Sequence, residues 1–259
     1  MIKVGIIGMG VIGTHIAQAI TTGIPGVALA GVTVRNPATA RGHRALTLDR
    51  LIAESDLIVE AATQAALREF APSVLAAGRH IMVLSVGGLV GVLDEWARLA
   101  EKHGCRILIP SGAIAGLDGM KGAREGTITS VTMETRKPPR GLRGAPWIEQ
   151  QKIDLDAISR ETLIFEGTAT EACRAFPANV NVVAALSLAG IGPERTRIRI
   201  FAVPELATNQ HRITVQGEFG RLSVEIENVP SENPRTGRLS YLSTIALLRD
   251  LSATLRVGT

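Results

Sequence analysis

The chain has 259 residues, 46% of them hydrophobic and 20% charged, which suffices for a packed core in one large domain or two smaller ones. The net charge is +4, aromatic residues make up 3%, and the basic residues are scattered, which argues against a nucleic-acid surface and for a small anionic partner. No run of about 18 apolar residues occurs, so no membrane span is expected.

Residues 3–8 (KVGIIG) read as a buried strand and not as a secretion signal, since no small-residue cleavage site follows. Residues 11–23 form a helix closed by glycine, 27–34 a second strand, and Pro37 a turn. Next come a helix over 49–56, a strand over 57–62, a helix over 66–78, a strand over 80–89 and a helix over 93–104. A last strand starts at Cys105 and runs into the glycine-containing loop that ends at Gly116. Strands separated by helices in this way imply an α/β fold with a doubly wound parallel sheet. Residues 1–110 are therefore expected to be a dinucleotide-binding Rossmann domain.

The pattern then changes. Residues 127–137 alternate with period two, as in a half-buried strand of an antiparallel sheet, and 138–146 read as a loop. A strand over 162–167 leads to Thr168 and Glu171, spaced as a capping box that opens a helix. A second helix over 179–190 precedes strands at 197–204, 211–217 and 221–229, the last two joined as a hairpin across GEFG. Residues 111–238 thus form an α+β domain with a mainly antiparallel sheet, suited to substrate binding. An amphipathic helix over 239–255 is expected to pack back on the nucleotide domain.

Gly8-Met9-Gly10-Val11-Ile12-Gly13 is a G-x-G-x-x-G placed between the first strand and the first helix. The first glycine permits the turn, the second lets backbone approach a pyrophosphate, and the third allows close helix packing, with the helix N-terminus facing the anion. The acid expected at the end of the second strand, which would bind the ribose of NAD, is absent. Arg35 stands there, with Arg41 and Arg44 beyond. A cation at that place pairs with a 2′-phosphate, so NADP is expected to be accepted beside NAD, although Arg35 as an adenine-stacking or solvated residue is equally compatible.

Three later strings complete the picture: IPSGAIAGLDGMKGA (109–123), FPANVNVVAALSLAGIGPERT (176–196) and VPELATNQHRITVQGEFG (203–220). Together with DLIVEAATQAALRE (56–69), they resemble the L-aspartate dehydrogenase family, and the resemblance runs from the glycine motif to the terminal helix. It implies NAD(P)-dependent oxidative deamination of L-aspartate to iminoaspartate and then oxaloacetate and ammonia. It also implies the reverse amination, a place in quinolinate and NAD biosynthesis, and a homodimer supported by the second domain. The candidate cofactor positions are Gly8, Gly10, Val11, Ile12, Gly13, Arg35, Ala61, Ala62, Thr63, Ser111, Gly112, Ala113 and Asn181.

The family's catalytic histidine falls on His211. Chemistry allows the role independently, because a histidine titrating near neutrality both takes and gives protons when water adds to an imine. His15, His43, His80 and His103 all lie in the nucleotide half. Asn209 is placed to orient His211 or the substrate, and Asn179 to cap a helix whose N-terminus receives a substrate carboxylate. No set of ligands converges on a metal. Cys105 and Cys173 are far apart and read as inert thiols of a reducing, cytoplasmic compartment. The competing readings are a homoserine-type or imine-reducing dehydrogenase, and a non-catalytic NADP-binding sensor.

Overall fold

A computed structural model describes residues 1–177, 180–232 and 237–258. The chain divides into two compact units, Met1–Pro110 with Ser240–Arg256, and Ser111–Leu239 with the residues from Val257 on.

The first unit alternates strand and helix: β1 (Ile2–Ile7), α1 (Val11–Gly23), β2 (Val27–Thr33), α2 (Leu48–Glu54), β3 (Leu57–Glu60), α3 (Gln64–Ala76), β4 (His80–Val83), α4 (Leu93–Lys102) and β5 (Ile107–Leu108). All five strands are parallel, in the order β2-β1-β3-β4-β5. The doubly wound sheet read from the sequence is therefore present. β4 is shorter than its apolar run: it stops at Val83, where the Leu84 and Ser85 N–H groups turn to the Glu60 carboxylate, and Val86–Leu89 form a buried 3-10 helix. Val4, Ile6, Ile16, Leu57, Val59 and Met82 share one core cluster. Side chains of this kind each contribute roughly 1.5–3 kcal/mol when fully buried. The chain leaves β1 for β2 on one side and returns to β3 on the other, so a ligand crevice is expected at the carboxyl ends of β1 and β3.

The second unit holds α5 (Leu117–Ala123), β6 (Ile128–Lys137), α6 (Pro146–Gln150), β7 (Thr162–Thr168), α7 (Ala169–Ala175), α8 (Asn181–Ala189), β8 (Thr196–Ala202), β9 (Asn209–Gly217) and β10 (Gly220–Asn228). After it, α9 (Leu239–Asp250) belongs mostly to the first unit, where Leu248 joins the core cluster and the Tyr241 ring stacks on His15 at 4.1 Å. The second sheet runs β10-β9-β6-β8-β7 and is antiparallel except for the parallel pair β6–β8.

α5, and α6 beyond Pro146, lie in stretches to which the sequence pattern assigns no element. Two glycines dilute the periodicity of α5, and α6 is a short helix opening on Pro146, whose missing N–H costs nothing at the first helical position. The capping box forms as spaced: Thr168 Oγ1 accepts from the Glu171 N–H at 3.2 Å, and Glu171 Oε2 accepts from the Thr168 N–H at 2.7 Å. The β9–β10 hairpin turns through Glu218 and Phe219 alone.

The period-two pattern sorts this sheet into two faces. Val131, Met133, Thr135 and Lys137 of β6, Ile198 and Ile200 of β8, and His211, Ile213 and Val215 of β9 are buried on one of them. The opposite face carries Glu134, half-buried and paired with Arg136 and Arg199, and Arg212, paired with Glu225.

Candidate functional site

The glycine loop of the first unit has the geometry of a dinucleotide cradle. Gly8 has φ +96°, and a Cβ there would stand 2.5 Å from the Ala61 carbonyl oxygen. A Cβ on Gly13 would stand 2.0 Å from the Gly8 oxygen, so α1 can approach the turn only with glycine at that position. Gly10, by contrast, has nothing within 4 Å, and no side chain caps the first turn of α1. Val11 and Ile12 therefore begin a helix whose free N–H groups suit an anion. Ala61, Ala62 and Thr63 join this group at the end of β3: Ala61 N–H donates to Ile7 O at 2.9 Å, and Thr63 Oγ1 caps α3. These residues fit a dinucleotide pyrophosphate.

β2 ends at Thr33 without a carboxylate, and Arg35 follows it, exposed. Arg44 is engaged by Glu54, which also holds Arg50. Arg35 has no ion pair among the described residues, so its guanidinium is available to a phosphate.

In the second unit His211 lies on the covered face of β9, 5% exposed, directly opposite Thr135 in the β6–β9 register. His211 Nδ1 and Thr135 Oγ1 are hydrogen-bonded at 3.0 Å. In the tautomer with the proton on Nδ1, that N–H donates to Thr135 and Nε2 keeps its lone pair. Lys137, two residues beyond Thr135 on the same face, is 4% exposed. Burial lowers its pKa to about 8. Burial, with the neighbouring Lys137 charge, lowers His211 to about 3. The expectation of a histidine titrating near neutrality is thus corrected for this structure: a charged imidazole here would lose its hydration beside a cation.

Asn209 begins β9 and faces Asn228 of β10 across the ladder, where Asn228 Nδ2 donates to the Ala113 carbonyl at 2.8 Å. Asn228 is buried. This unit therefore gathers Ala113, Asn209 and His211 at one end of the sheet, together with Thr135, Lys137 and Asn228. Ser111 and Gly112 precede Ala113 in the same loop, with Gly112 at φ +67°. Asn181 opens α8, while Asn179 lies outside the described residues. Thr135, Lys137 and Asn228 were not legible as site residues. Each sits in an ordinary alternating strand, and the one sequence signal was a lysine at an inward position of β6. Neither cysteine offers a nucleophile: both are buried and unpaired, and burial pushes the Cys173 thiol up to about 11.

A glycine cradle on a doubly wound sheet, followed by an α+β unit with a buried imidazole, defines a two-unit oxidoreductase of the nicotinamide-nucleotide type. Residues 8–110 match the family model described as the homoserine dehydrogenase NAD binding domain, and residues 118–251 match that of the aspartate dehydrogenase C-terminal domain. L-aspartate dehydrogenase from Methanosarcina barkeri is 45% identical, with 100% of both chains covered. The protein of that name from Bradyrhizobium diazoefficiens is 46% identical over 100% of this chain and 94% of its own. Among solved structures, aspartate dehydrogenase from Thermotoga maritima superposes with a TM-score of 0.79 at 24% identity, covering 100% of both chains. A homoserine dehydrogenase from Thiobacillus denitrificans gives 0.65 at 13% identity, covering 96% of this chain and 73% of its own, and shares the fold. The chain belongs to the L-aspartate dehydrogenase family.

Proposed function

We propose that the chain catalyses NAD(P)-dependent oxidative deamination of L-aspartate to iminoaspartate, and so to oxaloacetate and ammonia, together with the reverse amination. Family membership supports the substrate. The structural observation that carries the chemistry is the buried His211–Thr135 pair with Lys137 beside it. Gly8, Gly10, Val11, Ile12 and Gly13 would hold the dinucleotide, which when bound supplies the hydride acceptor. Thr135 fixes the imidazole through Nδ1. Nε2 takes a proton from the water that adds to the imine carbon and returns one to the nitrogen that leaves as ammonia.

In the empty site a pKa of about 3 makes His211 a poor base at neutral pH. Lys137 resolves this by receiving a substrate carboxylate, with Asn209 orienting the same group. The added anion offsets the Lys137 charge and raises the His211 pKa, so the base gains strength only once substrate is present. The test follows NADH and NADPH oxidation with oxaloacetate and ammonia. Wild type should turn over, and folded His211→Ala should lose about a hundredfold or more in rate. Cofactor binding without turnover on either reductant would refute the assignment.

Further readings belong to the same proposal. Arg35 supports acceptance of NADPH. The two buried free thiols support a reducing, cytoplasmic setting, and the product imine supports a role in supplying NAD biosynthesis; a nadir in cellular NAD on deletion would test that role. The charged face of the second sheet supports a homodimer. There Arg136 and Arg199 bond Glu134, each at 3.1 Å, and lie over the Phe201 ring at 4.8 and 5.1 Å. Arginine and glutamate in alternation are self-complementary toward a second copy. Sedimentation should give a dimer in wild type and a shift toward monomer in Arg199→Glu; a monomeric wild type would refute it.

A further inference from the structure

Glu60, the last residue of β3, is 0% exposed, and no basic side chain lies within ion-pair distance of it among the described residues. Its carboxylate is instead held by four donors. Oε1 accepts from the Ala62 N–H at 2.8 Å and from Ser85 Oγ–H at 2.8 Å. Oε2 accepts from the Leu84 N–H at 3.1 Å and the Ser85 N–H at 2.7 Å. One side chain thus ties the loop after β3 to the loop after β4. Three of these donors are backbone N–H groups, which cannot accept, so they suit the ionised form. Burial pushes the Glu60 carboxyl above the usual range, and the donors pull against it.

What the two loops touch gives the carboxylate its purpose. The Ala61–Ala62 peptide that Glu60 holds is the wall against which Gly8 turns, with the Ala61 oxygen 2.5 Å from where a Gly8 Cβ would stand. On the other side, the loop after β4 is fastened to α3: Arg68 donates to Gly88 O and Val90 O, each at 3.1 Å. A buried carboxylate is a costly way to add stability alone, since an apolar side chain of similar size would avoid its desolvation. Its specific contribution is to fix the positions of backbone groups at the carboxyl ends of β1, β3 and β4, where a doubly wound sheet binds its ligand.

We infer that Glu60 is a positioning residue for nucleotide binding, clamping the loops after β3 and β4 into the form that receives the dinucleotide. The inference rests on the dehydrogenase reading above. Glu60→Gln places an NH₂ where one oxygen accepted two donors, so at most half the bonds survive. NADH binding to the otherwise ligand-free protein, followed by nucleotide fluorescence, should weaken by about tenfold or more in folded Glu60→Gln. The KM for oxaloacetate at saturating NADH should move by less than about twofold, which general loosening of the protein would not allow. Hydrogen exchange on the nucleotide-free wild type gives a second readout that needs no variant. The Ala62, Leu84 and Ser85 amides should be as protected as those inside β3. Folded Glu60→Gln that binds NADH within about twofold of wild type, or amides that exchange as exposed loops do, would overturn the inference. Failure of the wild type to bind NADH would instead overturn the dehydrogenase reading and this inference with it.

Discussion

Acid should destabilise this protein through His211, by an amount its burial allows to be worked out. The imidazole sits at about 3 in the folded, ligand-free chain against 6.5 for the unfolded side chain. A depressed histidine means that the unfolded state binds the proton first, so stability falls as pH drops through 6.5 and stops falling near 3. Integrating the proton uptake gives a loss of about 2 kcal/mol between about pH 7 and pH 5, and about 5 kcal/mol in full at lower pH. His211→Asn removes the titration while keeping a polar partner for Thr135. Urea unfolding at the two pH values, without nucleotide or substrate, measures the difference. Trp147 provides the probe within the second unit, its indole N–H donating to Ile164 O at 3.0 Å, and a Trp96→Phe background removes the other tryptophan. Wild type should lose about 2 kcal/mol more than His211→Asn over this interval. Equal losses would show that His211 is not held neutral by its surroundings, and the argument for a base strengthened by substrate would fail with it.

Lys137→Met should raise the KM for oxaloacetate by about tenfold to a hundredfold, as expected for a lost charge-assisted bond of roughly 1.5–3 kcal/mol. Steady-state kinetics check this. Between about pH 8 and 9, dicarboxylate binding should be accompanied by proton uptake, because the anion raises Lys137 from about 8, and calorimetry in buffers of different ionisation enthalpy reads this directly. Arg35→Glu should weaken NADPH by about tenfold or more while leaving NADH nearly unchanged, as measured by fluorescence titration.

The chain's local chemistry already declared the parallel and the mainly antiparallel sheet, the capping box at Thr168 and the glycine loop. Each depends on residues close together in sequence: an alternation of period two, a hydroxyl and a carboxylate three residues apart, glycines where a Cβ would strike backbone. The family strings likewise singled out His211 and Asn209. Short elements were harder. α5 and α6 were hidden because glycine and proline mask a helix of one or two turns, and β4 ended early where its next two N–H groups turn to Glu60. What only the tertiary structure decided is the state of the charged groups. Thr135 is 76 residues from His211 in the chain, and it is the β6–β9 register that joins them and sets Lys137 alongside. Glu60 reads as an ordinary strand-end glutamate until two loops close over it. A pKa is set by desolvation and by the charges and donors within a few ångströms, and strand register brings these together from distant parts of the chain with no local trace in the sequence.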